Sequence, residues 1–282
     1  MSKPDLSAYL DRIGMAAPPA ATPDGLARLL VAHREAIAFE NLDVMLGRGI
    51  AIASDHVFAK LVTARRGGYC FEHNRLLADV LGALGLPNRP LLARVRLGPP
   101  GATPPRTHVL LLVELGGEFW IADAGFGGSF LPPLPLREGA GAATGDGARH
   151  RLVRRDGSDP LGGEWLLERA GPAEATDGRG QAHGAWQAQY SFDLAAVAPD
   201  DLEQANHWTA TRPGTRFTTL HVVSRVLPGG FAAMTDRQLT VFRAGEGAQT
   251  REICGPADYA RTLRDVFGLA LGDDEVAALP LF

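Results

Sequence analysis

Residues 107–126 read THVLLLVELGGEFWIADAGF, and no other stretch restricts the fold as much. Two runs of branched and aromatic residues flank Gly116-Gly117, the pattern of a hairpin with a two-residue turn. That turn sets Leu115 opposite Glu118, Leu110 opposite Asp123 and His108 opposite Gly125. Residues opposite one another share a face of the sheet, as do residues two apart on one strand. His108 and Asp123 are therefore expected on one face as diagonal neighbours, roughly 7–8 Å apart at the backbone. An Asp carboxylate can span that gap to an imidazole. One more turn residue would place the two on opposite faces. Within FWIADAGF, Asp123 is also the one acid in an apolar segment, and a buried acid needs a partner. Taken singly, each has a plainer reading: Asp123 as a cap for the glycine-rich turn that follows, His108 as the start of a strand.

Around this hairpin the chain falls into three blocks. The first ninety residues read as helical. In TPDGLARLLVAHREAIAF, a polar start at Thr22 and Asp24 precedes Leu26, Leu29, Leu30 and His33 at helical spacing. In CFEHNRLLADVLGALGLP, Leu76, Leu77, Val80, Leu81 and Leu84 share one helix face, and Gly85 and Pro87 stop it. From about residue 90 short strand-like segments take over (PLLARVRL, THVLLLVEL, EFWIADAGF, RHRLVRR, EWLLER, AWQAQYSF), predicting an antiparallel sheet or barrel. REGAGAATGDGAR, residues 137–149, reads as a mobile surface loop. After about residue 194, DDLEQANHWTA, ADYARTLRDVFGL and DDEVAALPLF read as helices, RFTTLHVVSRVL and RQLTVFRAG as strands. The fold class is α+β, with boundaries at 1–89, 90–193 and 194–282.

Bulk numbers narrow the function. A net charge of −4 gives no basic balance for nucleic acid or an anionic membrane. Cys70 and Cys254 are the two cysteines, too few for a disulfide framework. With no apolar run of spanning length and a polar N-terminus, MSKPDLSAYLDRIG, the expectation is a cytoplasmic protein.

Cys70 sits in RRGGYCFEHN, residues 65–74. At the start of a helix its thiol lies over the first turn, where the helix dipole favours a thiolate. Gly67 and Gly68 clear space for close approach. A buried structural cysteine is the equally weighted alternative. A nucleophilic thiol needs a base, and the base an orienting group. His108 and Asp123 fit those roles. His73, one turn from Cys70, is a rival base, and Cys70, His73, His108 and Asp123 could also form a zinc set. The glycine loop DAGFGGSFLPP, residues 123–133, follows the acid directly and could offer backbone N–H groups to an anion. Cys254 reads as structural.

With these residues in view, the chain resembles the arylamine N-acetyltransferases. YLDRIG (9–14), FENLD (39–43), RRGGYCFEHN (65–74), RTHVLLLV (106–113), DAGFGG (123–128) and NHWTATRPGTRF (206–217) stand in that family's order and spacing. The resemblance implies an N-terminal helical domain, a central antiparallel β-barrel, a C-terminal α/β lid and a cysteine-protease-like core. It implies a catalytic triad of Cys70, His108 and Asp123, acetyl-CoA as co-substrate, no metal, and arylamines, arylhydrazines or N-hydroxyarylamines as acceptors. Phe39, Val95, Phe126 and Phe217 match positions lining the family's aryl pocket, and Thr107, Gly127, Gly128 and Asn206 are matched to CoA contact. The implied partners are a small aromatic amine and CoA, not nucleic acid or membrane; a homo-oligomer is compatible with it. Within the same fold, an amide synthase of secondary metabolism using a carrier-bound acyl chain is the leading alternative. A thiol amidohydrolase or transglutaminase-like enzyme is the next, and a non-catalytic zinc or small-ligand binding protein the last. The segment GDGARHRLVRRDGSDPLGGE, residues 145–164, is rich in glycine and charge, which leaves acceptor preference open.

Overall fold

The computed structural model describes residues 4–98, 103–156, 163–180 and 185–282. Within GDGARHRLVRRDGSDPLGGE, residues 157–162 lie outside the described residues. The N-terminal block holds α1 (Leu6–Ile13), α2 (Pro23–Ala36), β1 (Phe39–Glu40), α3 (Leu42–Met45), α4 (Ser54–Phe58) and α5 (Cys70–Ala83). Helix α2 starts where its sequence says: the Thr22 hydroxyl accepts from Gly25 N–H at 3.1 Å, and Pro23 occupies the first turn. Helix α5 gives way at Gly85, whose φ of 79° suits glycine. The apolar faces of α1, α2 and α5 share one core with Leu111, Val113 and Leu115 of the central sheet.

That sheet contains β2 (Asn88–Val95), β3 (Arg106–Leu115), β4 (Glu118–Ala122), β5 (Leu134–Pro135), β6 (Gly141–Ala143), β7 (Arg149–Asp156), β8 (Gly163–Ala170) and β9 (Gln187–Phe192). Its order is β5-β4-β3-β2-β9-β8-β7-β6, antiparallel throughout. The outermost strands, β5 and β6, are consecutive in sequence, joined by residues 136–140. Eight strands laid flat at about 4.8 Å spacing would put those edges about 34 Å apart. A linker that short reaches only about 20 Å. The sheet must therefore curl into a nearly closed barrel, and Leu91, Leu110, Ile121, Leu152, Leu167 and Tyr190 pack together inside it.

The hairpin register is the expected one. Leu115 pairs with Glu118, and the ladder runs to Leu111 and Ala122. Gly116 and Gly117 both have positive φ, 62° and 79°, as a turn matching strand twist requires.

The last block holds α6 (Pro199–Thr211), α7 (Arg216–Thr219), β10 (Val222–Leu227), β11 (Gly230–Thr235), β12 (Gln238–Arg243), β13 (Gly247–Glu252), α8 (Pro256–Phe267) and α9 (Asp273–Ala278). Its sheet has the order β1-β10-β11-β12-β13. No helix among the described residues is long and apolar enough to cross a membrane.

Four details depart from the sequence reading. The first ninety residues are not purely helical: Phe39 and Glu40 pair with Ser224 and Val223 and tie that block to the last one. Residues 137–149 are not simply a loop, since Gly141–Ala143 pair with β7 through a tight turn in which Asp146 accepts from Ala148 N–H at 3.1 Å. RFTTLHVVSRVL is not one strand. Its first four residues form a helical turn, where Thr219 Oγ1 donates to Thr215 O at 2.7 Å, a local bond that competes with strand pairing. β11 and β13 carried no strong sequence signal, and both are ladder strands.

One buried chain of hydrogen bonds runs beneath the first block. His73 Nε2 lies 3.1 Å from Ala38 O, and a carbonyl only accepts, so Nε2 carries the proton. A neutral His73 then accepts at Nδ1 from His33 Nε2–H at 2.8 Å, and His33 accepts at Nδ1 from the Tyr9 hydroxyl at 2.9 Å. Burial pushes His33 down to about 3, with Arg34 and Arg12 adding to it. His73 is held well below the ordinary range by burial, and His150 is pushed down to about 3 the same way.

Two predictions follow from this packing. A Cβ on Gly67 would lie 2.4 Å from Ala38 O, whereas one on Gly82 meets nothing within 4 Å. Gly67→Ala is expected to lower stability by about 1–3 kcal/mol, and Gly82→Ala, inside α5, to raise it by about 0.5–1 kcal/mol. Urea midpoints at constant slope check both; equal effects would contradict the packing. Below pH 6.5 the unfolded chain protonates histidines that the folded chain keeps neutral, so stability is complete above that pH and falls as pH drops toward 3. Glu72, raised to about 7 by burial against the pull of Lys60, works the other way between pH 7 and 4.5 and offsets one histidine. Stability at pH 5 should be lower than at pH 7 by roughly 2–4 kcal/mol. A urea midpoint unchanged between those pH values would contradict the neutral histidines.

Candidate active site

Cys70 is the first residue of α5 and is 3% exposed. Two features hold it there. Glu72 reaches back to accept from Tyr69 N–H at 3.0 Å, closing the first turn, while Lys60 donates to its other oxygen at 2.8 Å. Asn74, one turn along the helix, joins α5 to the hairpin. Its amide donates to Val109 O at 2.7 Å and to Asp123 Oδ1 at 3.0 Å, and its carbonyl accepts from Ala124 N–H at 3.0 Å. The contact is close enough to demand glycine: a Cβ on Gly125 would lie 2.7 Å from Cys70 Cα.

On the hairpin, His108 Nε2 donates to Asp123 Oδ2 at 2.7 Å, and both residues are 2% exposed. The strand ladder ends one pair short of Asp123, and there Asp123 Oδ1 turns to accept from Gly125 N–H at 2.8 Å as well as from Asn74. Burial pushes the Asp123 carboxyl up, but His108, Asn74 and Gly125 together outweigh it and hold the group below the usual carboxylate range. The His108 ring is wedged edge-on against Phe126 at 5.3 Å and tilted against Tyr190 at 5.0 Å. With Nε2 committed to Asp123, Nδ1 is the nitrogen left to exchange a proton.

The Cys70 thiol lies 3.7 Å from Thr107 O. Burial, then the Asp123 charge, pushes the thiol up; the N–H groups of Phe71, Val109 and Cys70 pull the other way without prevailing. A bare thiolate is thus disfavoured there. The thiol needs a partner that takes its proton in the same step, and an imidazole backed by a carboxylate is such a partner.

His73, the rival base, is occupied at both ring nitrogens by His33 and Ala38. Its ring supports the pocket instead, stacked on Phe39 at 6.3 Å. No group of three or more His, Cys, Asp or Glu among the described residues is placed to hold a metal ion. Cys254 is exposed on the last block, with its thiol 3.8 Å from Glu252 O.

Cys70 and His108 open onto one pocket of about 600 Å³, counting its mouth. Phe39, Val95, Phe126 and Phe217 all line it, as do Thr107 and Gly127. Gly127 has to be glycine, since a Cβ there would lie 2.6 Å from the Phe39 ring. Gly128 and Asn206 are not in the lining. The Gly128 carbonyl accepts from Asp177 N–H at 3.0 Å. The Asn206 side chain accepts from the Tyr69 hydroxyl and donates to Ile50 O at 2.9 Å, which fastens α6 behind the site. The lining also contains residues that the sequence reading did not single out, among them Gly125, Arg179, Trp208 and Arg216. Trp208 and Arg216 fall within NHWTATRPGTRF; nothing in DGRGQ marked Arg179.

A family model described as N-acetyltransferase matches residues 23–276. The arylamine N-acetyltransferase of Escherichia coli K12 is 38% identical over 96% of this chain and 90% of its own. The arylamine N-acetyltransferase / N-hydroxyarylamine O-acetyltransferase of Salmonella typhimurium is 36% identical over 95% and 90%. Among solved structures, the Salmonella typhimurium arylamine N-acetyltransferase superposes with a TM-score of 0.86 at 35% identity, covering 97% of both chains. A Mycobacterium marinum arylamine N-acetyltransferase in complex with CoA gives 0.83 at 33% identity over 98% of each. A barrel hairpin carrying His108 and Asp123, laid against a helix that begins at Cys70, is thus built on a chain that belongs to the arylamine N-acetyltransferase family.

Proposed function

We propose that the protein transfers an acetyl group from acetyl-CoA to arylamines, arylhydrazines or N-hydroxyarylamines through a thioester on Cys70. The observation that carries this reading is the 2.7 Å His108–Asp123 hydrogen bond beside the pocket onto which Cys70 and His108 open. Similarity to enzymes named for this activity, one of them solved with CoA, supports the substrate class. It favours acetyl transfer over the amide-synthase and hydrolase alternatives.

The reaction runs in two halves. Cys70 gives its proton to His108 Nδ1 as its sulfur attacks the thioester carbonyl of acetyl-CoA. The negative charge moves to the carbonyl oxygen, which backbone N–H groups at the start of α5 can stabilise; those of Cys70, Phe71 and Val109 already favour negative charge on the sulfur. The bond to the CoA sulfur breaks, and that sulfur leaves with the proton held by His108. In the second half an aromatic amine attacks the acetyl carbon, His108 takes the amine proton, and the C–S bond to Cys70 breaks to restore the thiol. Asp123 fixes the imidazole tautomer and stabilises the imidazolium in both halves. An aryl amine suits the scheme because it is unprotonated at neutral pH, and Phe39, Phe126 and Phe217 give its ring an apolar seat. Of the CoA set, Thr107 and Gly127 line the pocket, which supports assigning them to the donor. The free thiol at the centre suits a reducing compartment, and we place the protein in the cytoplasm.

Cys70→Ala and His108→Ala should each lower kcat/KM by at least about 10³-fold, and Asp123→Asn by about 10²–10⁴-fold, with the fold retained. Initial rates at varied acetyl-CoA and arylhydrazine should give parallel double-reciprocal lines. An Asp123→Asn enzyme turning over at the parent rate would remove Asp123 from the assignment.

A further inference from the structure

Among the described residues, the pocket that holds Cys70 and His108 is lined by two further ionisable side chains, Arg179 and Arg216, and by no Asp or Glu. Neither arginine has a part in the acetyl transfer described above. Both lean on one carboxylate. Arg179 donates to Asp177 from Nε at 2.9 Å and from Nη2 at 2.6 Å, and Arg216 Nη2 lies 3.4 Å from the same carboxylate. Arg216 Nη2 also donates to Asp177 O at 3.3 Å. Asp177 is almost wholly covered, with its side chain 2% exposed, whereas the arginine side chains are 25% and 22% exposed. One buried carboxylate thus stands behind two guanidiniums that face the pocket, with Asp236 acting on Arg216 from farther off. Arg216 Nε is buried and has no hydrogen-bond partner among the described residues.

The position of the guanidiniums matters as much as their charge. The point where a Gly128 Cβ would sit is 2.9 Å from the Phe126 ring and 3.5 Å from Arg179 Nη2. The same Phe126 ring packs edge-on to His108. His108, Phe126 and Arg179 therefore follow one another along the wall. A flat ligand lying on Phe126 is then within reach of both the imidazole and a guanidinium. Glycine at position 128 leaves room for the Phe126 ring, which a Cβ would meet at 2.9 Å.

We propose that Arg179 and Arg216, braced by Asp177, form a carboxylate-recognition site, and that the enzyme prefers aromatic amines carrying an anionic ring substituent remote from the amine. This rests on the acetyl-transfer reading of the same pocket. A guanidinium presents paired N–H donors that match a carboxylate in two-point contact. The phosphates of CoA are the other anions this enzyme meets. They sit at the far end of the pantetheine arm from the thioester, whereas the arginines line the same pocket as the thiol.

The test uses the whole protein, acetylated on Cys70 by 4-nitrophenyl acetate so that CoA is absent. Discharge is then followed with 4-aminobenzoate and with 4-aminobenzamide, which share shape and have similarly weak amines but differ in charge. The wild type should favour the benzoate by about 10-fold or more in kcat/KM, a difference of about 1.4 kcal/mol. In Arg179→Gln/Arg216→Gln that ratio should collapse toward one through a raised KM for the benzoate, and Arg179→Lys should keep part of it. A wild-type ratio near one, or a ratio that survives the double substitution, overturns the proposal. So does an intact ratio with a KM for acetyl-CoA raised 10-fold, which would give the arginines to the CoA phosphates. A wild type whose acetyl group passes to neither amine fails one step earlier and removes the acetyl-transfer reading itself. Should the double variant not fold, the wild type alone decides. 4-Methylbenzoate should protect Cys70 from iodoacetamide at about 10-fold lower concentration than 4-methylbenzamide, and lose that advantage in 1 M salt. Equal protection by the two overturns the proposal.

Discussion

The site depends on the seam between the start of α5 and the β3–β4 hairpin. One side chain, Asn74, holds Val109, Asp123 and Ala124 of the hairpin from a position one turn after Cys70. Gly125 lets the two backbones close to a distance that no other residue tolerates. Neither element carries the chemistry alone. The helix brings a thiol, the hairpin brings an imidazole already bonded to a carboxylate, and the seam sets them against one pocket. Because every polar atom of the Asn74 amide is used, the seam has few alternative registers at similar energy.

Electrostatics then decide what the thiol can do. Burial makes Cys70 harder to ionise, and the Asp123 charge works in the same direction. A bare thiolate is disfavoured, and a thiolate formed opposite an imidazolium is the form the site can accept. Below the site, Lys60 sits between Asp43 at 2.7 Å and Glu72 at 2.8 Å, with Arg66 near Glu40 and Asp43. That buried cluster holds the first turn of α5 through Glu72 and keeps Cys70 in position.

Much of this arrangement was legible in the sequence, for reasons of geometry. Gly116-Gly117 admits few turn types, so alternation outward from it gave the register that brings His108 and Asp123 together. The helices were legible where a cap and an apolar face coincide, as at Thr22 and along Leu76–Leu81. Long-range pairing was not. Nothing local distinguishes Phe39-Glu40 as a strand, because its partner β10 lies more than 180 residues away. Thr215 and Thr219 turned a strand-like run into a helical turn through their own side-chain bonds. In the site, resemblance assigned Asn206 to CoA, but its amide is spent on Tyr69 and Ile50. Arg179 was missed because the barrel curvature that carries it to the pocket is a property of the closed sheet, not of any short motif.

The measurement that bears most directly on the account is the intact mass of the protein after mixing with acetyl-CoA and no amine, with the modified peptide mapped. The account predicts one added acetyl group, on Cys70, lost when an arylhydrazine is supplied. An unmodified protein whose Cys70 is still rapidly alkylated at neutral pH would contradict it, leaving a reactive thiol without this donor.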